Sequence, residues 1–190
     1  MRQAPKTDYD PIPKGHLHEY SLFGEIKKNN PKYLEAYKKA GPDVKGYLPF
    51  DKAFDLVKEF QPGDPTNPKA AFLRNLRIAV IDALGLTEDA DVERVKAYTA
   101  VGSPLDHWHS ADAVIEVEST EKGQRSFRIT LDATLDEKKE GRPSGADILI
   151  GELPDELDDK KKYLDAIDEL GKRIATILKS KQSKINLKEG

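Results

Sequence analysis

The chain has 190 residues, and its 31 Lys and Arg against 34 Asp and Glu leave a formal net charge of −3. With 37% hydrophobic and 34% charged residues, it can build one packed core, which excludes wholesale disorder. The absence of cysteine excludes disulfides, thiolate metal sites and cysteine nucleophiles. Because the charges nearly balance, binding to nucleic acid would need a local basic patch.

No apolar segment in the sequence has the length of a secretory signal or of a membrane span. We therefore expect a soluble, cytoplasmic protein that makes no use of a membrane. Nothing in the sequence predicts its oligomeric state.

The N-terminal half has the pattern of helices. Residues 1–20 are rich in proline and charge, and we expect an extended arm there. Residues 21–86 should form a helical region whose helices begin at Pro31, Pro49 and Pro68, since proline is favoured at the first helical position. Gly85 should end the strongest of these helices, and a short helix is expected near residues 88–99.

Residues 87–181 should hold the sheet core. Apolar residues alternate with polar ones, as in strands, over 111–119, 126–135 and 146–153. Helical spacing returns over 155–181, with an acidic start and a basic end that suit the helix dipole; residues 182–190 are expected to be a frayed tail. The order predicts an α+β fold with an N-terminal helical region, a central sheet of three to four strands, and a long C-terminal helix packed on it.

Two aspartates in the predicted sheet stand out as candidate functional residues. Asp112 begins the first of the three predicted strands, and Asp132 lies in the middle of the second, on the face opposite Ile129 and Leu131. An acid in mid-strand is costly unless it lines a site or meets water. Two converging carboxylates can hold Mg²⁺, and Lys138 or Lys139, just beyond, could orient an attacking water or neutralise phosphate charge.

The region from Glu93 to Leu178 resembles the restriction-endonuclease-like, PD-(D/E)XK nuclease superfamily. Asp112, in SADAVIEVE, matches the first Asp of the pattern, and Asp132, in LDATLD, matches the acid of the second element. Thr134 stands where the pattern has lysine, so Lys138 or Lys139 would have to replace it. The resemblance implies a metal-dependent nuclease-like domain that acts on or binds DNA or RNA. It implies Asp112, Asp132 and Glu93 as metal ligands, and Asp112, Asp132 and Lys138 or Lys139 as catalytic residues.

Three other interpretations remain open. The face that carries Asp132 and Thr134 could be a solvated face of an antiparallel sheet, with Glu116 and Glu118 paired to Arg125 or Arg128 across the strands. The chain could be a non-catalytic binding or assembly protein that uses the same fold as a scaffold. With Thr134 in place of lysine, it could also bind nucleic acid without cutting it.

All four histidines lie in two His-x-His pairs, His16 with His18 and His107 with His109. In an extended chain this spacing puts both imidazoles of a pair on one face, which suits a transition metal. The alternatives are that Trp108 is a buried anchor with the histidines at its rim, and that His107 or His109 assists a site at Asp112.

Overall fold

The computed structural model describes residues 14–120, 126–135 and 145–189, without the side chains of Lys14, His16 and residues 184–189. In chain order its elements are α1 (Lys14–Phe23), α2 (Pro31–Ala40), α3 (Phe50–Glu59), α4 (Ala71–Leu84), α5 (Asp89–Glu93), β1 (Val95–Thr99), α6 (Pro104–His109), β2 (Ala113–Val117), β3 (Phe127–Ala133), β4 (Ile148–Ile150) and α7 (Lys160–Glu189).

The helical region begins earlier than the sequence predicted. Residues 14–20 belong to α1 and not to an extended arm, because Leu22 and Phe23 at its C-terminal end are buried in the core and hold the helix against the domain. Helix α2 begins at Pro31, and the side chain of Asn30 caps it by accepting the Lys32 N–H at 3.0 Å.

The other two predicted helix starts are shifted. Pro49 is the N-cap residue of α3 and precedes its first turn. Helix α4 begins at Ala71, three residues after Pro68. Gly85 ends α4 with a left-handed φ of 74°, as predicted, since this backbone conformation costs glycine nothing.

The sheet has four strands in the order β1-β2-β3-β4. Strands β1, β2 and β3 form an antiparallel meander, and β4 joins β3 in parallel. Strand β1 corrects a sequence prediction, because Val95–Thr99 was expected to be helical. Successive side chains of the strand, VKAYT, point to alternate faces of the sheet, and they include the branched and aromatic types that strands favour. The pairing of this segment with β2 prevails over its local helix propensity.

Helices cover both faces of the sheet. One core contains the side chains of β3 that were predicted to point inward, packed with α1, α4 and α7; its sheet residues include Ala97, Ile115, Ile129, Leu131 and Ile150. The second core lies on the opposite face and joins Tyr98 and Val114 to α2, α3 and α6. The result is a three-layer arrangement with the sheet in the middle.

Helix α7 is the long C-terminal helix that the sequence predicted, and it packs on β3 and α4. It begins at Lys160, where Asp159 accepts the Lys162 N–H at 3.0 Å, and it continues through the predicted tail to Glu189. Its buried stripe is Tyr163, Ile167, Leu170, Ile174 and Leu178. Leu164, which follows Tyr163 in α7, is 40% exposed.

The predicted α+β class is confirmed, with a four-stranded mixed sheet and the long helix packed on it. Across the described ranges, no helix combines the length and the apolar character that crossing a membrane requires.

Candidate functional site at one end of the sheet

The start of β2 is tied to the end of β3 by Asp112. The regular ladder between these strands has Ala113 and Leu131 as its last pair. At Asp112 the backbone N–H donates to the carbonyl of Leu131 at 2.8 Å, and the carboxylate Oδ2 accepts the N–H of Ala133 at 2.8 Å. The side chain is 3% exposed. The carboxylate is therefore held in one orientation inside the protein.

The surroundings of Asp112 oppose its negative charge. Burial raises the pKa of its carboxyl to about 8, against the lowering effect of the Ala133 hydrogen bond. The negative charges of Glu19, Asp106 and Asp132 raise the pKa further. Either a proton on the carboxyl or a bound cation would remove this repulsion.

Asp132 lies near Asp112 but in a different environment. It is in β3, partly buried, next to Leu149 of β4. Thr134, two residues further, is buried, and its backbone N–H donates to the carbonyl of Ile150. The strands thus bring together both predicted aspartates, together with the threonine that stands in the place of a lysine.

Helix α1 supplies side chains to the same end of the sheet, and it packs against β3. Glu19 acts electrostatically on Asp112. Its neighbour His18 has a pKa lowered by burial, which the charge of Glu152 just after β4 partly offsets. The Nε2 of His18 is buried and has no hydrogen-bond partner within the described residues.

Glu93, the third predicted metal ligand, lies elsewhere. It ends α5 immediately before β1, whose first residue, Val95, pairs with Val117 at the far end of β2. Asp112 lies beyond the other end of that pairing, since the Ala100 N–H donates to its carbonyl. Six residues separate Glu93 from Ala100, and five of them form the extended strand β1, which corresponds to roughly 20 Å. The structure therefore does not bring Glu93 to the two aspartates. Lys138 and Lys139 lie outside the described residues.

Sequence reasoning missed Glu19 and Asp106 as neighbours of Asp112. Glu19 fell in the segment that was predicted to be an arm, and no periodicity linked it to the sheet. The sequence around Asp106 does indicate a helix start, since Ser103 and Pro104 are typical of the cap and the first helical position. The Asp106 Oδ2 accepts the Gly102 N–H at 2.7 Å.

The sheet face that carries Asp132 and Thr134 is not solvated, so that interpretation of the sequence is wrong. Helices α2, α3 and α6 cover it, and Glu116 is 2% exposed. Glu116 is paired with Arg128 at 3.0 Å, as predicted, and Glu118 is paired with Lys96 at 2.6 Å. Arg125, the other predicted partner, lies outside the described residues. The guanidinium of Arg128 also lies 4.6 Å from the ring centroid of Phe54.

His107 and His109 do not form the shared metal site that an extended chain would allow, because they lie in α6, where residues two apart point about 200° apart around the axis. His16 and His18 belong to α1, and the side chain of His16 lies outside the described part of the structure. His109 Nε2 is 2.8 Å from the carbonyl of Leu48, whereas His107 packs edge-on against Trp108. Trp108 itself is 37% exposed, so it is not a buried anchor.

Two carboxylates are a donor set that fits Mg²⁺, which commonly keeps several waters and takes one or two carboxylates with substrate phosphate. Within the described ranges, no group of three or more His, Asp or Glu is placed to hold a metal ion. Comparisons with protein-family models, with curated proteins and with solved structures find no match for this chain.

Proposed function

We propose that this chain is a divalent-metal-dependent nuclease-like domain that acts on or binds DNA or RNA. Asp112 and Asp132 would hold Mg²⁺, and the charge of Glu19 acts on Asp112 without placing it as a third ligand. The observation that carries the proposal is the carboxylate of Asp112. It is buried, fixed by the N–H of Ala133, and surrounded by the negative charges of Glu19, Asp106 and Asp132.

A buried acid in such surroundings destabilises a fold unless a proton or a cation neutralises it. Perturbed acids of this kind cluster at functional sites. When bound, the metal ion would lower the pKa of a coordinated water and neutralise charge on a phosphate. The chain's own residues would orient the ion. Ala133 fixes the Asp112 carboxylate, and the pairing of β3 with β4 fixes Asp132.

The lysine of this proposal is Lys138 or Lys139. Either residue follows β3 closely enough in sequence to return to the end of the strand where Asp132 lies. Its ammonium would orient the attacking water or compensate the charge on the phosphate.

A second candidate function is binding of nucleic acid without cleavage. The observation that favours it is Thr134, whose buried side chain occupies the position of the catalytic lysine in the pattern that the sequence resembles. Both candidates use Asp112 and Asp132, and they differ in whether Lys138 or Lys139 completes the site.

The test is cleavage of single-stranded and duplex DNA and RNA with Mg²⁺, Mn²⁺ or EDTA. We expect metal-dependent cleavage by the wild-type protein and its loss in Asp112→Asn and Asp132→Asn. Asp165→Asn, which changes an exposed acid of α7, is the matched control and should cut like wild type. Loss of cleavage in Lys138→Ala or in Lys139→Ala alone would identify the lysine. Binding of the substrates with no cleavage under any metal would favour the second candidate.

A further inference from the structure

A groove lined by aromatic rings lies between α2 and α6. It has a volume of about 290 Å³ and is walled by α2, α6 and the loop between α2 and α3. Its apolar and aromatic wall consists of Tyr33, Leu34, Tyr37, Pro104, His107 and Trp108. A pocket of this size is at the lower end of the range for small-molecule sites and suits one planar ring system.

The rings of the groove are held in place by hydrogen bonds to one backbone group. The Nε1–H of Trp108 and the hydroxyl of Tyr37 both donate to the carbonyl of Gly46, at 3.0 and 2.9 Å. Trp108 nevertheless stays 37% exposed, and Leu34 is 46% exposed. A partly exposed indole that is fixed by its own hydrogen bond offers a flat apolar surface on which another ring can stack.

Two lysines add positive charge to this apolar groove. Lys28 and Lys45 both line it, and both are exposed. The Lys28 side chain lies over Gly102, whose missing Cβ would come within 3.4 Å of the lysine Cε. Within the described part of the chain, no ion pair neutralises either ammonium. A ligand that complements the groove therefore carries both a flat ring and negative charge.

We propose that this groove binds an unpaired nucleobase of a single-stranded nucleic acid, with Lys28 and Lys45 contacting the flanking phosphates. Single-stranded nucleic acid combines stacking rings with a polyanionic backbone, and proteins that bind it combine aromatic platforms with basic residues. In a base-paired duplex the same bases are stacked on each other, and they would have to be extruded to enter.

The position of the groove connects it to the candidate site. Helix α6 carries His107 and Trp108 in the groove and also Asp106, whose charge acts on Asp112. Helix α6 therefore contributes both to the groove and to the electrostatic surroundings of Asp112. The inference rests on the proposed function for the choice of nucleic acid as the polyanion, and it names single strands as the substrate class.

Trp108 is the chain's one tryptophan, so intrinsic fluorescence reports on the groove directly. The probes are a short oligothymidylate, an abasic strand of equal charge and a duplex of the same length, all titrated in EDTA so that binding is separated from cleavage. We expect the oligothymidylate to quench Trp108, and we expect little quenching by the abasic strand and weaker binding of the duplex.

Lys28→Gln and Lys45→Gln should each weaken binding about 3- to 10-fold and reduce the slope of log K against log [salt] by about 0.7. Lys161→Gln changes an exposed lysine of α7 that does not line the groove; it is the charge-matched control and should bind like wild type. Equal quenching by the abasic strand, or equal affinities for all three variants, would overturn the inference.

Two more comparisons separate the possible outcomes. Trp108 also lines a second cleft that contains Lys181; if only Lys181→Gln abolishes quenching, the ligand lies there and the inference is overturned. Quenching by a proline-rich peptide but by no oligonucleotide would overturn it as well. If quenching persists in Asp132→Asn while the wild-type protein never cleaves, the proposed nuclease activity fails and the inference stands.

Discussion

Ala133 donates its backbone N–H to Oδ2 of Asp112 at 2.8 Å, so a buried carboxylate takes the place that a backbone carbonyl would hold in a continued ladder. One acid therefore does two things. It closes the pairing of β2 with β3, and it lies at the end of the sheet where the charges of Glu19 and Asp132 favour its protonated form.

This arrangement makes the stability of the fold depend on pH. The folded protein keeps the Asp112 proton up to about pH 8, whereas an unfolded chain releases it near pH 4. Between these values the folded state binds more protons, so the free energy of unfolding should fall as pH rises. The contribution of this group is at most about 1.4 kcal/mol per pH unit.

Asp112→Asn keeps an oxygen that can accept the Ala133 N–H but does not ionise. We expect urea denaturation between pH 5 and 8 to show a flatter pH dependence for this variant and a higher stability than wild type at pH 8. A variant whose stability falls with pH as steeply as the wild type would show that Asp112 is not the titrating group.

Binding of Mg²⁺ should stabilise the folded protein through Asp132. An ion that binds only the folded state raises the free energy of unfolding, by about 2.7 kcal/mol at a hundred times its Kd. Thermal melts with and without Mg²⁺ should therefore show stabilisation of wild type and of Asp165→Asn, but none of Asp132→Asn. Equal stabilisation of all three proteins would exclude Asp132 as a ligand.

Arg128 makes one buried and one exposed ion pair, and the two pairs should contribute very differently to the free energy of unfolding. Glu116 is 3% exposed in its side chain and Asp51 is 84% exposed. Glu116→Gln leaves the guanidinium without its buried counter-charge and should cost roughly 3 kcal/mol of unfolding free energy. Asp51→Asn should cost less than about 1 kcal/mol. Denaturation of both variants at pH 7 tests this, and similar costs would contradict it.

Gly171 lets α7 approach α4 closely. A Cβ at this position would lie 2.7 Å from the backbone carbon and the Cβ of Ala79, so Gly171→Ala must push the two helices apart. We expect a loss of roughly 1–3 kcal/mol. Gly15→Ala in α1, where an added Cβ meets nothing within 4 Å, is the matched control and should be neutral or slightly stabilising. Chemical denaturation measures the stability of both variants, and equal free energies of unfolding would contradict this prediction.

The sequence by itself determined the elements whose local pattern is strong. The alternation around Ile129 and Leu131 identified β3, helical spacing identified α4 and α7, and Pro31 and Gly85 marked helix ends. These features depend on the periodicity of apolar residues and on the chemistry of caps, both of which can be read without knowing the partners.

Tertiary structure alone decided how those elements combine. Val95–Thr99 became a strand through pairing with β2, and residues 14–20 became helical through the packing of Leu22 and Phe23. The polar face of the sheet became a buried one because α2, α3 and α6 cover it. Glu19 acts on Asp112 although it lies 93 positions earlier in the chain, whereas Glu93 lies at the far end of the sheet. Such long-range neighbours depend on how the layers pack, and a local pattern of residues does not predict that packing.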